Sequence, residues 1–306
     1  MIRRTCVVGA GSIGSLYAAH LARVAESCVL TRREDHAFAL NEHGLRVTGR
    51  HDFLARVLAA ARARDLPEPD LVIVATKATG LESAAAALAG RFPTATVMTV
   101  QNGLGAEEIV RSHGSWPLVS GVTFMSGTKH SDTHVEYILD TETWIGPYGD
   151  TPFECVEEIA ALLVAAGLQA EALPDLRPAQ WSKLIFNATV NSVAALTGLP
   201  HDRHFAAEDG ESDLGRLVHA LVDEGKRVAA AAGVELYDDP WEMNVLATKR
   251  GSAHYPSMLE DVEARRPTEV DLITGALVRE ADKHQIPAPL HTAMYRLVKA
   301  KEASYT

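Results

Sequence analysis

Apolar residues recur along this chain with two different spacings, and the change from one to the other divides it near its middle. In the first half, short apolar runs at residues 5–8, 28–31, 71–75 and 96–100 read as strands. The run Leu71-Val72-Ile73-Val74-Ala75 has no polar face, as expected of a parallel strand covered on both sides. Between the runs lie stretches with helical spacing: 15–25, with Leu16, Ala19 and Leu21 on one side, and the Ala-rich 81–88. Strands alternating with helices in this rhythm predict a parallel, doubly wound sheet. From 117 to 146 the pattern turns to short strands with Gly and Thr, and an antiparallel extension of the same sheet is expected there. A helix over 152–166 follows. Leu173-Pro174-Asp175 and Arg177-Pro178 then interrupt the pattern, which puts the domain boundary between 173 and 174. Beyond it the spacing is helical throughout, over 179–196, 213–232, 240–248, 257–263, 268–283 and 292–302. The expectation is an α/β domain at 1–173 followed by an all-helical domain at 174–306.

The first strand runs directly into Gly9-Ala10-Gly11-Ser12-Ile13-Gly14, and a helix begins there. A G-x-G-x-x-G between a strand and a helix suits a dinucleotide. One glycine permits the tight turn, the next lets the backbone approach a pyrophosphate, and the third lets helix pack on strand. Unpaired N–H groups at the helix start favour phosphate. The first domain is therefore expected to be of Rossmann type, with Gly9, Gly11, Ser12, Ile13 and Gly14 at the cofactor. The second strand ends in Thr31-Arg32-Arg33 where an NAD enzyme places an acidic residue. An arginine fork suits a 2′-phosphate, so Arg32 points to NADPH, although Glu34 and Asp35 follow and leave NAD open. Two further strand ends carry Thr76-Lys77 and Gln101-Asn102-Gly103. Strand carboxyl ends line the ligand crevice of such a sheet, so Lys77 and Asn102 are candidate contacts. A helix-flanking surface lysine and an Asn-Gly turn are the plain alternatives to that reading.

In the second half, Lys183, Asn187 and Asn191 fall at i, i+4 and i+8 on a helix otherwise rich in Trp181, Leu184, Ile185, Phe186 and Val190. Such a stripe either faces water or lines a cleft, and asparagine is a poor choice inside a helix unless it has a task. Ser257 and Glu260 have the spacing of a capping box. Glu269, after Pro267-Thr268, would sit in the first turn of its helix and suit the macrodipole. Spacing alone would make neither functional.

Composition narrows the picture. The net charge of -11 argues against nucleic acid or an anionic membrane as partner, so an anionic ligand must be held by particular cations and backbone N–H groups. No apolar run is long enough to span a membrane, and no signal peptide opens the chain, so a cytoplasmic protein is expected. The three cysteines, Cys6, Cys28 and Cys155, lack C-x-x-C spacing and read as plain thiols. His201 and His204 lack a third ligand, so no metal site is expected. Leu214, Leu217, Val218 and Leu221 could serve internal packing or a homodimer.

Taken together, Gly9–Gly14, Lys77, Gln101-Asn102-Gly103, Trp181-Ser182-Lys183 with Asn187 and Asn191, Pro256-Ser257-Met258-Leu259-Glu260-Asp261 and Pro267-Thr268-Glu269-Val270-Asp271 resemble the ketopantoate reductases, in order and over nearly the whole chain. That resemblance implies NADPH-dependent reduction of 2-dehydropantoate to (R)-pantoate in pantothenate biosynthesis. It makes Lys183 the general acid, Asn187 and Asn191 substrate-binding, and Ser257 a holder of the substrate carboxylate or hydroxyl. Glu269 would contact the cofactor and orient the lysine, Lys77 and Asn102 would lie beside the nicotinamide ribose, and Arg32 beside the 2′-phosphate. The stretch from His134 to Asp140 is more acidic and poorer in glycine than the family pattern. Reduction of another 2-oxo acid, or of an imine formed from one, therefore stays open. So does a different class, a non-catalytic NADP(H)-binding sensor, although a sensor has no need of a proton donor.

Overall fold

A computed structural model of the chain describes residues 1–207, 212–249 and 255–305. The residues group into two units, Met1–Gln101 with Ala106–Leu176, and Asn102–Gly105 with Arg177–Thr306. The first unit runs β1 (Arg4–Val8), α1 (Ser12–Leu21), β2 (Glu26–Leu30), α2 (Glu34–His43), β3 (Leu45–Gly49), β4 (Phe53–Ala55), β5 (Leu58–Ala60), β6 (Leu71–Val74), α3 (Leu81–Leu88), β7 (Thr96–Thr99) and α4 (Ala106–His113). It continues through β8 (Leu118–Thr123), β9 (Ser126–Ser131), β10 (His134–Leu139), β11 (Thr143–Tyr148), α5 (Phe153–Ala165) and β12 (Ala170–Ala172).

Its main sheet has the order β12-β11-β8-β7-β6-β1-β2-β5. The six strands from β8 to β5 are parallel, and β11 turns antiparallel against β8. The α/β, Rossmann-type reading of this half is what the structure shows. All four residues of β6 are buried, which is why that run carries no polar face. From β1 the sheet grows one way through β2 and the other way through β6, so the turn after β1 opens at the switch point where such sheets take their ligands.

The expectation for 117–146 needs correction. β8 continues the parallel sheet and β11 is the antiparallel extension, but β9 and β10 leave it. They join β3 and β4 in a second sheet, order β4-β3-β10-β9, with Val135 opposite Val47. Val135 and Tyr137 are buried while much of β9 is exposed, so the alternation was readable. Which sheet receives the pair depends on β3, far off in sequence, and no local pattern encodes that.

The second unit is helical: α6 (Arg177–Thr197), α7 (Asp213–Ala231), α8 (Pro240–Thr248), α9 (Ser257–Glu263), α10 (Thr274–Lys283) and α11 (Pro289–Ala303). α6 forms its centre. Trp181, Leu184, Ile185 and Ala188 pack with Val228, Met258, Val270, Ile273 and Leu277. A Cβ at Gly225 would lie 2.6 Å from Ile185 Cγ2, so the bare glycine lets α7 approach α6 at that point. Among the described residues no helix is long and apolar enough to cross a membrane.

Candidate active site

The predicted residues fall into two groups, one in each unit. In the first unit Gly9 has φ +95°, and a Cβ there would lie 2.9 Å from Thr76 Cγ2. A Cβ at Gly14 would overlap the Gly9 carbonyl oxygen, so both positions require glycine for packing. Gly11 differs: nothing lies within 4 Å of the place its Cβ would take. It is the N-cap of α1 and the helix start receives no side-chain cap, so the first N–H groups of the helix, at Ser12 and Ile13, have no side-chain acceptor at the cap. This is the cradle a pyrophosphate requires, and the residues fit a dinucleotide.

Gly9 N–H donates to Leu30 O at 2.9 Å, tying the turn to the end of β2. Beyond that end the two arginines divide. Arg33 is held by ion pairs to Asp35 and Asp132, whereas Arg32 is exposed with no partner among the described residues. Gln101 Nε2 donates to the carbonyls of Val74 and Thr76, each at 2.9 Å, and so pins the strand end before the exposed Lys77. One neighbour escaped the sequence reading. Lys129, on β9, donates to Ala10 O at 3.0 Å within the glycine turn and to Asp132 at 3.0 Å. A lysine on a half-exposed strand 119 positions away gives no sequence signal of that contact.

The second unit holds the other group. Lys183, Asn187, Asn191 and Glu269 are only 8%, 8%, 6% and 9% exposed, so the stripe on α6 is no solvated face. Burial pulls the Lys183 ammonium down to about 8, and the Glu269 carboxylate offsets part of that fall. Asn102 Nδ2 donates to Glu269 Oε2 at 3.1 Å, so Asn102, Glu269 and Lys183 form one electrostatic group. Ser182, beside the lysine, donates to Asp238 O at 2.8 Å, and Ser192 pairs with Thr274 Oγ1 at 2.7 Å. These bonds fix the rotation of α6 at both ends of the stripe. The Asn187 side chain is only 8% exposed and makes no hydrogen bond among the described residues, so its amide is open to a ligand.

Two local expectations are overturned. Ser257 caps nothing: Pro256 is the N-cap of α9, and the exposed Ser257 is its first residue. The cap comes from a distance, since Asn191 Oδ1 accepts from Met258 N at 3.3 Å, and this contact places Ser257 beside the end of the stripe. Glu269 is not in a first helical turn either. α10 begins at Thr274, and residues 269–273 form a wider turn in which Gly275 N–H reaches Val270 O at 2.8 Å. The helical spacing persisted across 268–273, but both donors of Thr268 are spent on Glu302 instead.

The family model described as Ketopantoate reductase PanE/ApbA matches residues 5–150, and its C-terminal counterpart matches 175–302. The chain belongs to the ketopantoate reductase family. As a member it is an oxidoreductase acting on a CH–OH/C=O group. A 2-dehydropantoate 2-reductase of Pyrococcus horikoshii is 30% identical over 297 residues, 97% of each chain. The crystal structure of a PanE/ApbA family ketopantoate reductase from Ralstonia eutropha JMP134 superposes with a TM-score of 0.88 at 27% identity, covering 99% of both chains. A ternary structure of D-mandelate dehydrogenase with NADH and anilino(oxo)acetate has the same fold, with a TM-score of 0.87 at 24% identity and 99% coverage of both.

Proposed function

We propose that this chain reduces 2-dehydropantoate to (R)-pantoate, the reductive step of pantothenate biosynthesis, with NADPH as reductant and Lys183 as proton donor. The observation that carries the proposal is the buried lysine on α6, poised near 8 beside Glu269 and one turn from an amide without a partner. The Gly9–Gly14 turn would hold the pyrophosphate, Arg32 the 2′-phosphate, and Lys77 and Asn102 the nicotinamide ribose. Bound NADPH supplies the hydride.

The rest of the chemistry belongs to the chain. As the substrate carbonyl is reduced, negative charge grows on its oxygen, and the Lys183 ammonium neutralises that charge by giving up its proton. Depression toward 8 brings the donor close to working pH while keeping much of it protonated. Glu269 keeps the ammonium charged and oriented. Asn187 would offer both amide groups to the substrate, Asn191 its Nδ2, and Ser257 would take the carboxylate or hydroxyl. A cofactor-binding sensor would gain nothing from burying an ammonium at a cost in solvation. The relatives named 2-dehydropantoate 2-reductase support the substrate, and the D-mandelate dehydrogenase neighbour keeps reduction of another 2-oxo acid as the second reading.

Initial rates of NADPH oxidation with 2-dehydropantoate and a panel of other 2-oxo acids and imines decide between them. The highest kcat/KM is expected for 2-dehydropantoate. A higher value for another 2-oxo acid moves the protein to the second reading, and no oxidation with any of them contradicts both substrate readings.

Arg32 yields a separate expectation. Replacing it with alanine removes a charge-assisted contact with a typical net worth of about 1.5–3 kcal/mol. NADPH affinity should fall by roughly 10–150-fold while NADH affinity hardly changes. Fluorescence titrations of both cofactors check this. Wild-type protein that binds NADH as tightly as NADPH contradicts the assignment.

A further inference from the structure

The turn that carries Glu269 is irregular, yet its backbone and side chains are fastened on both sides of that residue. Before it, Thr268 N–H and Thr268 Oγ1–H both donate to Glu302 Oε1, each at 2.7 Å. The same Thr268 oxygen accepts from Val270 N at 3.1 Å, which closes the backbone around Glu269 itself. After it, Asp271 accepts from Tyr295 OH at 2.8 Å and from Lys299 Nζ at 3.0 Å. Lys299 also bridges to Glu302 at 3.0 Å, so the two fastenings form one network.

All three holding residues, Tyr295, Lys299 and Glu302, lie on α11 at spacings of four and three, hence on one face. A Cβ on Gly275 would lie 2.9 Å from Tyr295 Cε2, so the start of α10 is shaped to admit that ring. Burial alone would push the Asp271 carboxyl up, but the Tyr295 hydroxyl and Lys299 carry it below its usual range, the mark of a bonded anion. Most of this network is spent on the residues flanking Glu269 and none of its bonds on the Glu269 carboxylate, which Asn102 holds.

We propose that this face of α11 is a positioning device for Glu269, with Glu302 at its centre: it sets where the Glu269 carboxylate stands toward Lys183. Glu302 is a positioning residue and touches no reacting atom. The consequence for turnover rests on the proton-donor reading of Lys183 given above, but the placement of Glu269 does not.

The test is titration of Lys183 in the full chain by NMR of lysine labelled with 13C at Cε, assigned with Lys183→Arg. This readout requires no substrate. In Glu302→Leu the turn loses both Thr268 bonds, Glu269 stands off, and the Lys183 midpoint should fall by about 1 pH unit, the low end of what a neighbouring opposite charge supplies. In Glu302→Gln the amide oxygen still accepts both Thr268 donors, so the midpoint should stay at the wild-type value. A fastening that merely stabilised α11 would lower the thermal midpoint in Glu302→Leu and leave Lys183 where it was. Thr268→Val, which removes the hydroxyl bond to Glu302 and the acceptor of Val270 N, should shift Lys183 in the same direction, and it decides the matter if Glu302→Leu does not fold. An unchanged Lys183 midpoint in the folded variants overturns the proposal. Full turnover in Lys183→Ala would instead remove the proton-donor reading and leave the NMR result to judge the device alone.

Discussion

Replacing Lys183 with alanine is expected to lower turnover by about 10²–10⁴-fold, the usual scale for loss of a general acid. The protein should otherwise stand. Lys183 lies inside α6, where alanine is the best helix former, and the substitution removes a buried ammonium that burial disfavours. Its neighbours Ser182 and Ser192 keep their bonds to Asp238 and Thr274, so the helix retains its rotation. The groups assigned to the dinucleotide phosphates belong to the first unit, and NADPH affinity should hardly change. Stopped-flow reduction measures the rate, and a cofactor titration with a melting curve supplies the controls. Near wild-type turnover in a folded, NADPH-binding Lys183→Ala enzyme would end the catalytic assignment.

The second large effect is expected at Gly103. This residue has φ +95°, and a Cβ there would overlap the carbonyl oxygen of Leu272. Both obstacles are backbone, so no rotamer change relieves them. The same contact carries the Leu104 N–H bond to Leu272 O at 2.9 Å, which docks the Asn102 segment onto the Glu269 turn. Gly103→Ala should therefore destabilise the protein by about 1–3 kcal/mol through backbone strain. It should also displace Asn102 from Glu269 and cost roughly 10²-fold in turnover, the scale of an ångström's misplacement at a site. Gly90→Ala is the control. Gly90 has φ +68° with nothing within 4 Å, so it carries conformational strain without the clash and should cost about 1–2 kcal/mol and no activity. Equal activity losses in the two variants would contradict the docking role.

Much of this was readable because it is written locally. The apolar run at Leu71–Val74 announces a covered parallel strand, and three glycines between a strand and a helix announce the turn that packs on Thr76. The spacing of Lys183, Asn187 and Asn191 placed them on one face, and burial then decided against water. What stayed illegible depends on partners distant in the chain. Glu302 draws Thr268 out of helical geometry from 34 positions away. Asn191 supplies the cap that Ser257 was expected to give, from 67 positions away. Helical spacing extends through 268–273 unchanged, and only the competing acceptor on α11 reveals why the helix starts late.

The most direct test of the central claim is the pH dependence of single-turnover hydride transfer in both directions. If Lys183 is the proton donor, reduction of the 2-oxo acid needs its ammonium, and the rate should fall as pH rises through about 8, where burial has brought that group. Oxidation of the 2-hydroxy acid requires the neutral amine as base, so its rate should rise over the same interval. Lys183→Met should abolish both limbs along with most of the rate. A reduction rate that stays level through pH 8 in the wild type, or opposed limbs that persist unchanged in Lys183→Met, would contradict the assignment of Lys183 as the proton donor.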